Sequence, residues 1–174
     1  AADEYGTKPL KGDERYLVYS MTKVQTMIAL LTLIEQGRLS LEDEVAQYLP
    51  AYQNLMIEKA GKQFSAKNTL KIKHLVSMQS GLDYDLERPG ILRVLSEKKD
   101  MASTREIVDS FVETPLKFEP GEHFEYSLSH DVVAAIIEVV TDMRFGEYLK
   151  KTIWEPLGME QTHFAKPMND EKDL

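Results

Sequence analysis

A serine and a lysine three residues apart, Ser20 and Lys23, stand where an apolar, β-prone stretch (Tyr16 to Tyr19) gives way to a helix-forming one. Side chains three apart on a helix share a face, so the Lys23 amine comes within reach of the Ser20 hydroxyl. A hydroxyl is a weak nucleophile until a neighbouring base takes its proton, and a desolvated lysine is one of the few side chains suited to that task. The N–H groups at a helix start add positive potential where an alkoxide would form. The pair therefore points to acyl transfer through a serine. A plainer reading makes Ser20 an N-cap and Lys23 a solvent-facing helix residue. Spacing alone leaves both readings open. The same spacing recurs at Ser96-Glu-Lys-Lys99, in a charged run that reads as a solvated surface turn.

The elements that must position this pair follow from periodicity. A helix is expected over 20–36, where Val24, Met27, Ile28, Leu31 and Ile34 recur at steps of three to four and Gly37 stands where a C-cap expects glycine. Ser40-Leu-Glu-Asp43 looks like a capping box opening a short helix towards Tyr48, and Leu49-Pro50 stops it. Residues 51–68 read as a loop rich in Lys, Gln and Gly. Ile72, Leu75 and Val76 mark another helix, bounded by Ser80-Gly81, and 83–90 reads as loop. Residues 91–95 form a short helix or turn, and Ser103-Thr-Arg-Glu106 opens a helix to about Val112; Pro115 and Pro120-Gly121 then break the chain. From Ser127 or Ser129 to about Asp142 the sequence is apolar on nearly every side, which predicts a central buried helix. Phe145 to Trp154 is amphipathic and stops at Pro156-Leu-Gly158. Strand signal is confined to the first 19 residues, with weaker signal at Phe118 and Phe124 to Tyr126. The expected fold is mainly α, with remnant strands over 1–19, a helical domain over 20–164 and a polar tail over 165–174.

Composition narrows the partners. With 174 residues the chain suffices for one domain with a real core, and 21 basic against 29 acidic residues give a net charge of −8. That balance argues against nucleic acid and anionic membrane, which both select basic patches. No apolar run approaches the roughly 18–20 residues of a membrane span. The absence of cysteine removes disulfides, thiol catalysis and cysteine-ligated zinc. Among the four histidines, Glu122-His123 and His130-Asp131 lack metal-ligand spacing, and His74 reads as an ordinary helix residue. No metal or cofactor is expected.

Several segments in order resemble one family. Tyr19-Ser20-Met-Thr-Lys23, followed by Ile34-Glu-Gln-Gly-Arg-Leu-Ser-Leu-Glu-Asp43 and Tyr48-Leu-Pro50, is similar to the nucleophile helix of serine β-lactamase-related proteins. Leu70 to Ser77 with Ser80-Gly81-Leu82 resembles the family's next helix and its Ser-Gly-Leu turn. Phe118-Glu-Pro-Gly121 with Phe124-Glu-Tyr126-Ser127 resembles the second catalytic motif, and Trp154 to Met159 with Thr162-His-Phe164 the segment closing the helical region. The family includes class C β-lactamases, D,D-carboxypeptidases, penicillin-binding proteins, D-aminopeptidases and family VIII carboxylesterases. The resemblance implies the helical region of the β-lactamase/penicillin-binding-protein fold, whose whole is α+β. It implies Ser20 as the acylated nucleophile, Lys23 as its proton acceptor and Tyr126 as partner base or acid. It also implies a periplasmic or secreted setting and a β-lactam, D-Ala peptide or ester substrate. A phenol of pKa about 10 serves as a base only where a cation stabilises its phenolate, and Lys23 supplies one.

Two departures qualify that picture. The family's Tyr-x-Asn reads Tyr126-Ser127-Leu128 here, so Leu128 occupies a substrate-binding position without hydrogen-bonding capacity, a form like that of some family VIII esterases. The literal Tyr52-Gln-Asn54 falls too soon after Ser20 in a Pro-flanked loop and is set aside as coincidence. The third motif, Lys-Thr-Gly or His-x-Gly on a strand, does not occur; Lys151-Thr-Ile153 lacks the glycine. The chain is therefore expected to carry the helical region of a truncated enzyme, impaired in turnover. An apolar face would be left where the sheet is lost, open to a homodimer contact. A non-catalytic β-lactam-binding or partner-binding helical module is the alternative.

Overall fold

The computed structural model describes residues 5–9, 11–12 and 16–164, the side chain of Asp100 excepted. Helix α1 spans Thr22–Glu35 and α2 Ile72–Val76, with the antiparallel hairpin β1 (Met56–Lys59) and β2 (Lys62–Ser65) between them. Helices α3 (Pro89–Lys98), α4 (Thr104–Ser110), α5 (Ser129–Thr141) and α6 (Phe145–Leu149) follow. The chain is mainly α, with a single two-stranded sheet among the described residues.

Helix α5 is the axle. Val132, Val133, Ala135, Ile136 and Ile137 are fully buried, and α1, α2, α4 and α6 all pack on it. Each such side chain contributes about 1.5–3 kcal/mol of transfer free energy, so this helix anchors the core that the apolar sequence predicted. Helix α1 divides its apolar residues between two faces. Thr26, Ala29, Leu30 and Leu33 are buried against the domain, whereas Val24, Ile28 and Leu31, part of the stripe expected to mark the helix, are exposed together with Met21. Their spacing of three, four and three keeps those four exposed side chains on one line along the helix.

Local chemistry sets most boundaries. Ser103 Oγ accepts from the Glu106 N–H at 3.2 Å while Glu106 Oε2 accepts from the Ser103 N–H at 2.9 Å, a complete capping box opening α4. At Ser40 the expected box forms only a turn: the Ser40 N–H donates to Asp43 Oδ2 at 2.8 Å, and a short 3₁₀ turn over Val45–Gln47 replaces the helix. The amphipathic stretch after Phe145 is α-helical only to Leu149, then widens into a π turn over Lys150–Trp154.

Three expectations are corrected. The strands expected over 1–19 are absent among the described residues there, which form turns and coil; Tyr16 to Val18 run into a 3₁₀ turn over Tyr19–Met21 with no partner strand to pair with. The stretch 51–68, expected as loop, holds the hairpin. Its turn, Ala60-Gly61, has φ of 52° and 73°, the left-handed pair that matches strand twist. Only Ile57 of its eight strand residues is buried, so alternation was weak. Ser96 to Lys98 close α3 rather than forming a turn, with exposed side chains. The tail expected over 165–174 lies outside the described residues.

One buried ion pair ties the loop before α3 to the core. Arg88, 1% exposed, donates from Nε to Asp83 Oδ1 at 2.9 Å and from Nη1 to the Phe111 carbonyl at 2.7 Å. Burial pushes the Asp83 carboxyl up, but Arg88 and the Asp85 N–H outweigh it and hold its pKa below the usual 3.8. Removing one partner of a buried pair strands the other charge and costs about 3–5 kcal/mol. Asp83→Asn is therefore expected to lower unfolding free energy by about 3 kcal/mol at pH 7. Because the folded pKa is depressed, the wild type loses this contribution as pH falls through it. Urea melts should thus show the two chains converging in acid, below pH 3.8.

Candidate active site

The Ser20 hydroxyl is presented by a strained turn. Tyr19 has φ of 40°, in the left-handed region that a bulky residue enters only at a cost of about 1–3 kcal/mol. The 3₁₀ turn Tyr19–Met21 that follows leads directly into α1. Ser20 is thus set on a bend at the head of the helix, ahead of its first regular turn.

The structure brings the three chemically competent residues together, in an order that spacing did not predict. Tyr126 Oη donates to Ser20 Oγ at 2.7 Å. Lys23, expected beside Ser20, has its Nζ over the Tyr126 ring, 4.9 Å from the centroid, and 5.3 Å from that of Tyr84. The phenol is therefore the direct partner of the serine, and the ammonium acts on the phenol. Hydrogen bonding to Ser20 and then to Lys23, together with the Lys23 charge, lowers the Tyr126 pKa from its usual 10.0, against burial and the opposing Asp131 carboxylate. This is the tuning a phenolic base requires.

Tyr126 is held by hydroxyls whose contact with one another the sequence did not reveal. Ser80 Oγ and Ser127 Oγ each lie 2.7 Å from Ser129 Oγ, a buried chain linking the Ser80-Gly81-Leu82 turn to the segment bearing Tyr126. Backbone bonds reinforce it: Glu125 N–H donates to the Met78 carbonyl at 2.9 Å, and Leu128 N–H to the Asp83 carbonyl at 3.1 Å. Gly81 makes the approach possible. Its φ is +85°, and a Cβ there would lie 2.4 Å from the Phe118 carbonyl oxygen.

A cleft of about 340 Å³ opens beside Ser20, bordered by Lys23, Tyr84, Leu128, His130, Asp131 and Phe164 among others. Leu128 is buried at the start of α5 and offers the cleft an apolar wall. Burial lowers the pKa of His130, 9% exposed; its Nε2 lies 3.4 Å from the Val76 carbonyl, and its Nδ1 has no partner among the described residues. Asp131 has an exposed surface, yet desolvation on its inner side raises its carboxyl above the usual range despite Lys23. Tyr84 and His130 are functional candidates that neither spacing nor periodicity singled out. His74, read as an ordinary helix residue, instead accepts from the Lys71 N–H through Nδ1 at 3.2 Å, closing the start of α2. Tyr52, set aside with Asn54, is buried with its hydroxyl donating to the Val108 carbonyl at 2.8 Å, and does not border the cleft. Among the described residues, no group of three His, Cys, Asp or Glu is placed to hold a metal.

The chain is similar to known proteins over most of its length. The Beta-lactamase family model matches residues 1–174. Esterase EstB of Burkholderia gladioli is 28% identical, the match covering 97% of this chain and 45% of that protein. A putative D-alanyl-D-alanine carboxypeptidase of Salmonella typhimurium is 28% identical over 86% of this chain and 34% of its own length. The solved structure of EstCE1, described as a hydrolase with promiscuous acyltransferase activity, superposes with a TM-score of 0.64 at 29% identity, over 80% of this chain and 36% of that one. The chain thus spans less than half the length of these proteins.

The serine chain gives a direct test of how Tyr126 is placed. Ser129→Ala would leave Ser80 and Ser127 hydroxyls buried without their shared partner, at an expected cost of about 1–3 kcal/mol. Thermal unfolding followed by circular dichroism measures it. A melt unchanged from wild type would show that the chain contributes nothing.

Proposed function

Because the chain belongs to the β-lactamase family, we propose that its site is that of a serine hydrolase working through an acyl-enzyme on Ser20. The observation that carries this reading is the Tyr126 Oη to Ser20 Oγ hydrogen bond of 2.7 Å with the Lys23 ammonium 4.9 Å from the same ring. In the proposed reaction Tyr126, as phenolate, takes the Ser20 proton while Oγ attacks a substrate carbonyl carbon. The tetrahedral intermediate collapses, the carbonyl–leaving-group bond breaks, and Tyr126 returns the proton to the departing oxygen or nitrogen. Water then attacks the ester carbonyl of acyl-Ser20; Tyr126 accepts its proton and passes it to the departing Ser20 Oγ. The Lys23 ammonium beside the ring stabilises each phenolate state. Asp131 and the helix start complete the electrostatics of the cleft.

Substrate candidates are an ester, a D-Ala peptide or a β-lactam. The apolar Leu128, in a position without hydrogen-bonding capacity for a substrate amide, favours the ester, and the similarity to EstB points the same way. A reading as a non-catalytic binding module keeps support from one feature, the lack of Lys-Thr-Gly or His-x-Gly in these 174 residues. Losing one oxyanion donor costs roughly 10²–10³ in rate, so acylation by this chain is expected to outlast turnover.

Incubation with a fluorophosphonate followed by mass spectrometry of peptides should find the adduct on Ser20. Ser20→Ala should abolish it, and Tyr126→Phe should slow it by about 10²–10⁴ if Tyr126 is the base. Labelling should rise with pH to a midpoint below the ordinary phenol value, because the Tyr126 pKa is lowered in the fold. An unlabelled Ser20 in the chain and in a longer parent would overturn the hydrolase reading.

The exposed line of Met21, Val24, Ile28 and Leu31 is proposed to pair with a second copy when the chain is alone in solution. Contiguous apolar faces of this kind are uncommon on soluble monomers. Light scattering across a concentration series should show mass rising towards the dimer, and Ile28→Glu should hold the monomer. A wild-type monomer at every concentration would refute the pairing.

A further inference from the structure

Tyr84 has no role in the reaction described above, yet the site is built around it. Its ring stands 5.3 Å from that of Tyr126 at an interplanar angle of 41°, and the Lys23 ammonium lies over both rings. We propose that Tyr84 is a positioning residue: its ring closes an aromatic clamp that keeps the Lys23 ammonium against the Tyr126 phenol. The proposal rests on the reading of Tyr126 as the base for Ser20.

Two independent observations support the clamp. The first is its geometry and exposure. Tyr84 is 46% exposed and Tyr126 43% exposed, so neither ring is explained by core burial. A lysine carries its charge on a flexible four-carbon stem, and at an open site it would spend much of its time in water. Two neighbouring rings, each with its centroid within about 6 Å of the ammonium, attract it together. Leu128, which shares the cleft, offers no acceptor that could hold the ammonium instead.

The second is the anchoring of the Tyr84 loop. Asp83, the residue before Tyr84, accepts from the Leu128 N–H through its carbonyl and from the Asp85 N–H and Arg88 through its carboxylate. Arg88 is fully buried and fastened to Phe111 as well. A buried guanidinium is costly unless its geometry is needed. Here it fixes the backbone on which Tyr84 stands to the start of the helix that follows Tyr126. The residue before Tyr84 is thereby anchored both to the buried Arg88 and to the segment that carries Tyr126.

The charged and titratable groups around the ammonium define what the clamp competes with. From the loop before α5 comes Tyr126, from α5 itself His130 and Asp131, and from the loop before α3 Tyr84. Burial lowers the His130 pKa, which disfavours its cationic form. Asp131 is the rival: freed of Tyr84, the ammonium would move towards that carboxylate or into water. Tyr126 would then lose part of the stabilisation of its phenolate.

The test uses Tyr84→Leu, Tyr84→Phe and Tyr84→Trp in the chain, each checked for native circular dichroism. Two readouts are taken against pH. One is the phenolate absorbance of Tyr126, isolated by subtracting Tyr126→Phe; the other is the rate of fluorophosphonate labelling at Ser20. Tyr84→Leu should raise both midpoints by about 0.5 pH unit and cut labelling at neutral pH by about threefold. Tyr84→Phe, which keeps the π face, should match wild type. Tyr84→Trp, with the stronger face, should move the midpoints down, a direction that misfolding would not produce. Wild-type midpoints in Tyr84→Leu, or equal shifts in the Leu and Phe variants, would overturn the clamp. An unlabelled Ser20 combined with the shifted phenol would overturn the hydrolase reading while supporting the clamp.

Discussion

A single hydrogen bond, from Tyr126 Oη to Ser20 Oγ, joins two segments 106 residues apart and gives the domain its chemical focus. A bond of that length between side chains on separate elements survives only if both backbones are held independently. One end is held by the bent entry to α1 at Tyr19, the other by the serine chain and the Leu128 to Asp83 link at the start of α5. Neither support would matter without the α1–α5 contact that sets the distance between them. The almost wholly apolar α5 is therefore a condition of the site as well as of the core. Burying it against four helices fixes where Leu128 and the preceding Tyr126 emerge.

Charge is distributed around that bond in a way that uses few hydrogen bonds to Lys23. A phenol, a second aromatic ring and a carboxylate surround the ammonium, and their combined field determines which group holds the proton. Tyr126 and Tyr84 are both exposed, so solvent screens the more distant charges and the nearest neighbours count for most. Burial raises the Asp131 carboxyl and lowers the His130 imidazole. Both groups are thus shifted towards their neutral forms, and Lys23 is left as the principal cation acting on Tyr126. The cleft is polar at the nucleophile and apolar along Leu128 and Phe164, a division that suits a carbonyl group carried on an uncharged acyl chain.

Much of this was legible in the residues. The helix behind Ser20, the capping box at Ser103, the buried helix from Ser129 and the ordered motifs of the family all followed from periodicity, cap chemistry and resemblance. What could not be read has physical causes. The hairpin at 56–65 buries one residue and turns on Ala-Gly, so it carries neither an apolar alternation nor a strong turn signature. The direct partner of Ser20 is set by tertiary placement of Tyr126, which no local spacing encodes; Lys23 is only three residues away and still ends up on the far partner's ring. Tyr84 and the Ser80–Ser129–Ser127 chain are ordinary residue types whose significance lies in what the fold brings beside them. Which apolar face of α1 the domain covers was not legible for a related reason. A helix apolar on two faces shows the same periodicity whether one face or both are covered.

That two-faced helix bears on how the chemistry is divided. The inner face of α1, packed on α5, is enough to bring nucleophile, phenol and cation together. The outer face carries apolar side chains that nothing among the described residues covers, and these 174 residues also lack the Lys-Thr-Gly or His-x-Gly element that supplies an oxyanion donor in the family. In the proposed reaction, activation of Ser20 and stabilisation of the tetrahedral oxyanion are separable demands, the first assigned to the Tyr126–Lys23 pair and the second to backbone N–H donors. A chain that meets the first more fully than the second should react readily with electrophiles whose trapping needs little oxyanion stabilisation. It should process ordinary acyl substrates slowly, since those pass through the full tetrahedral charge twice. On the proposed reading, the helical region supplies the means of nucleophile activation, and turnover depends on a second N–H donor.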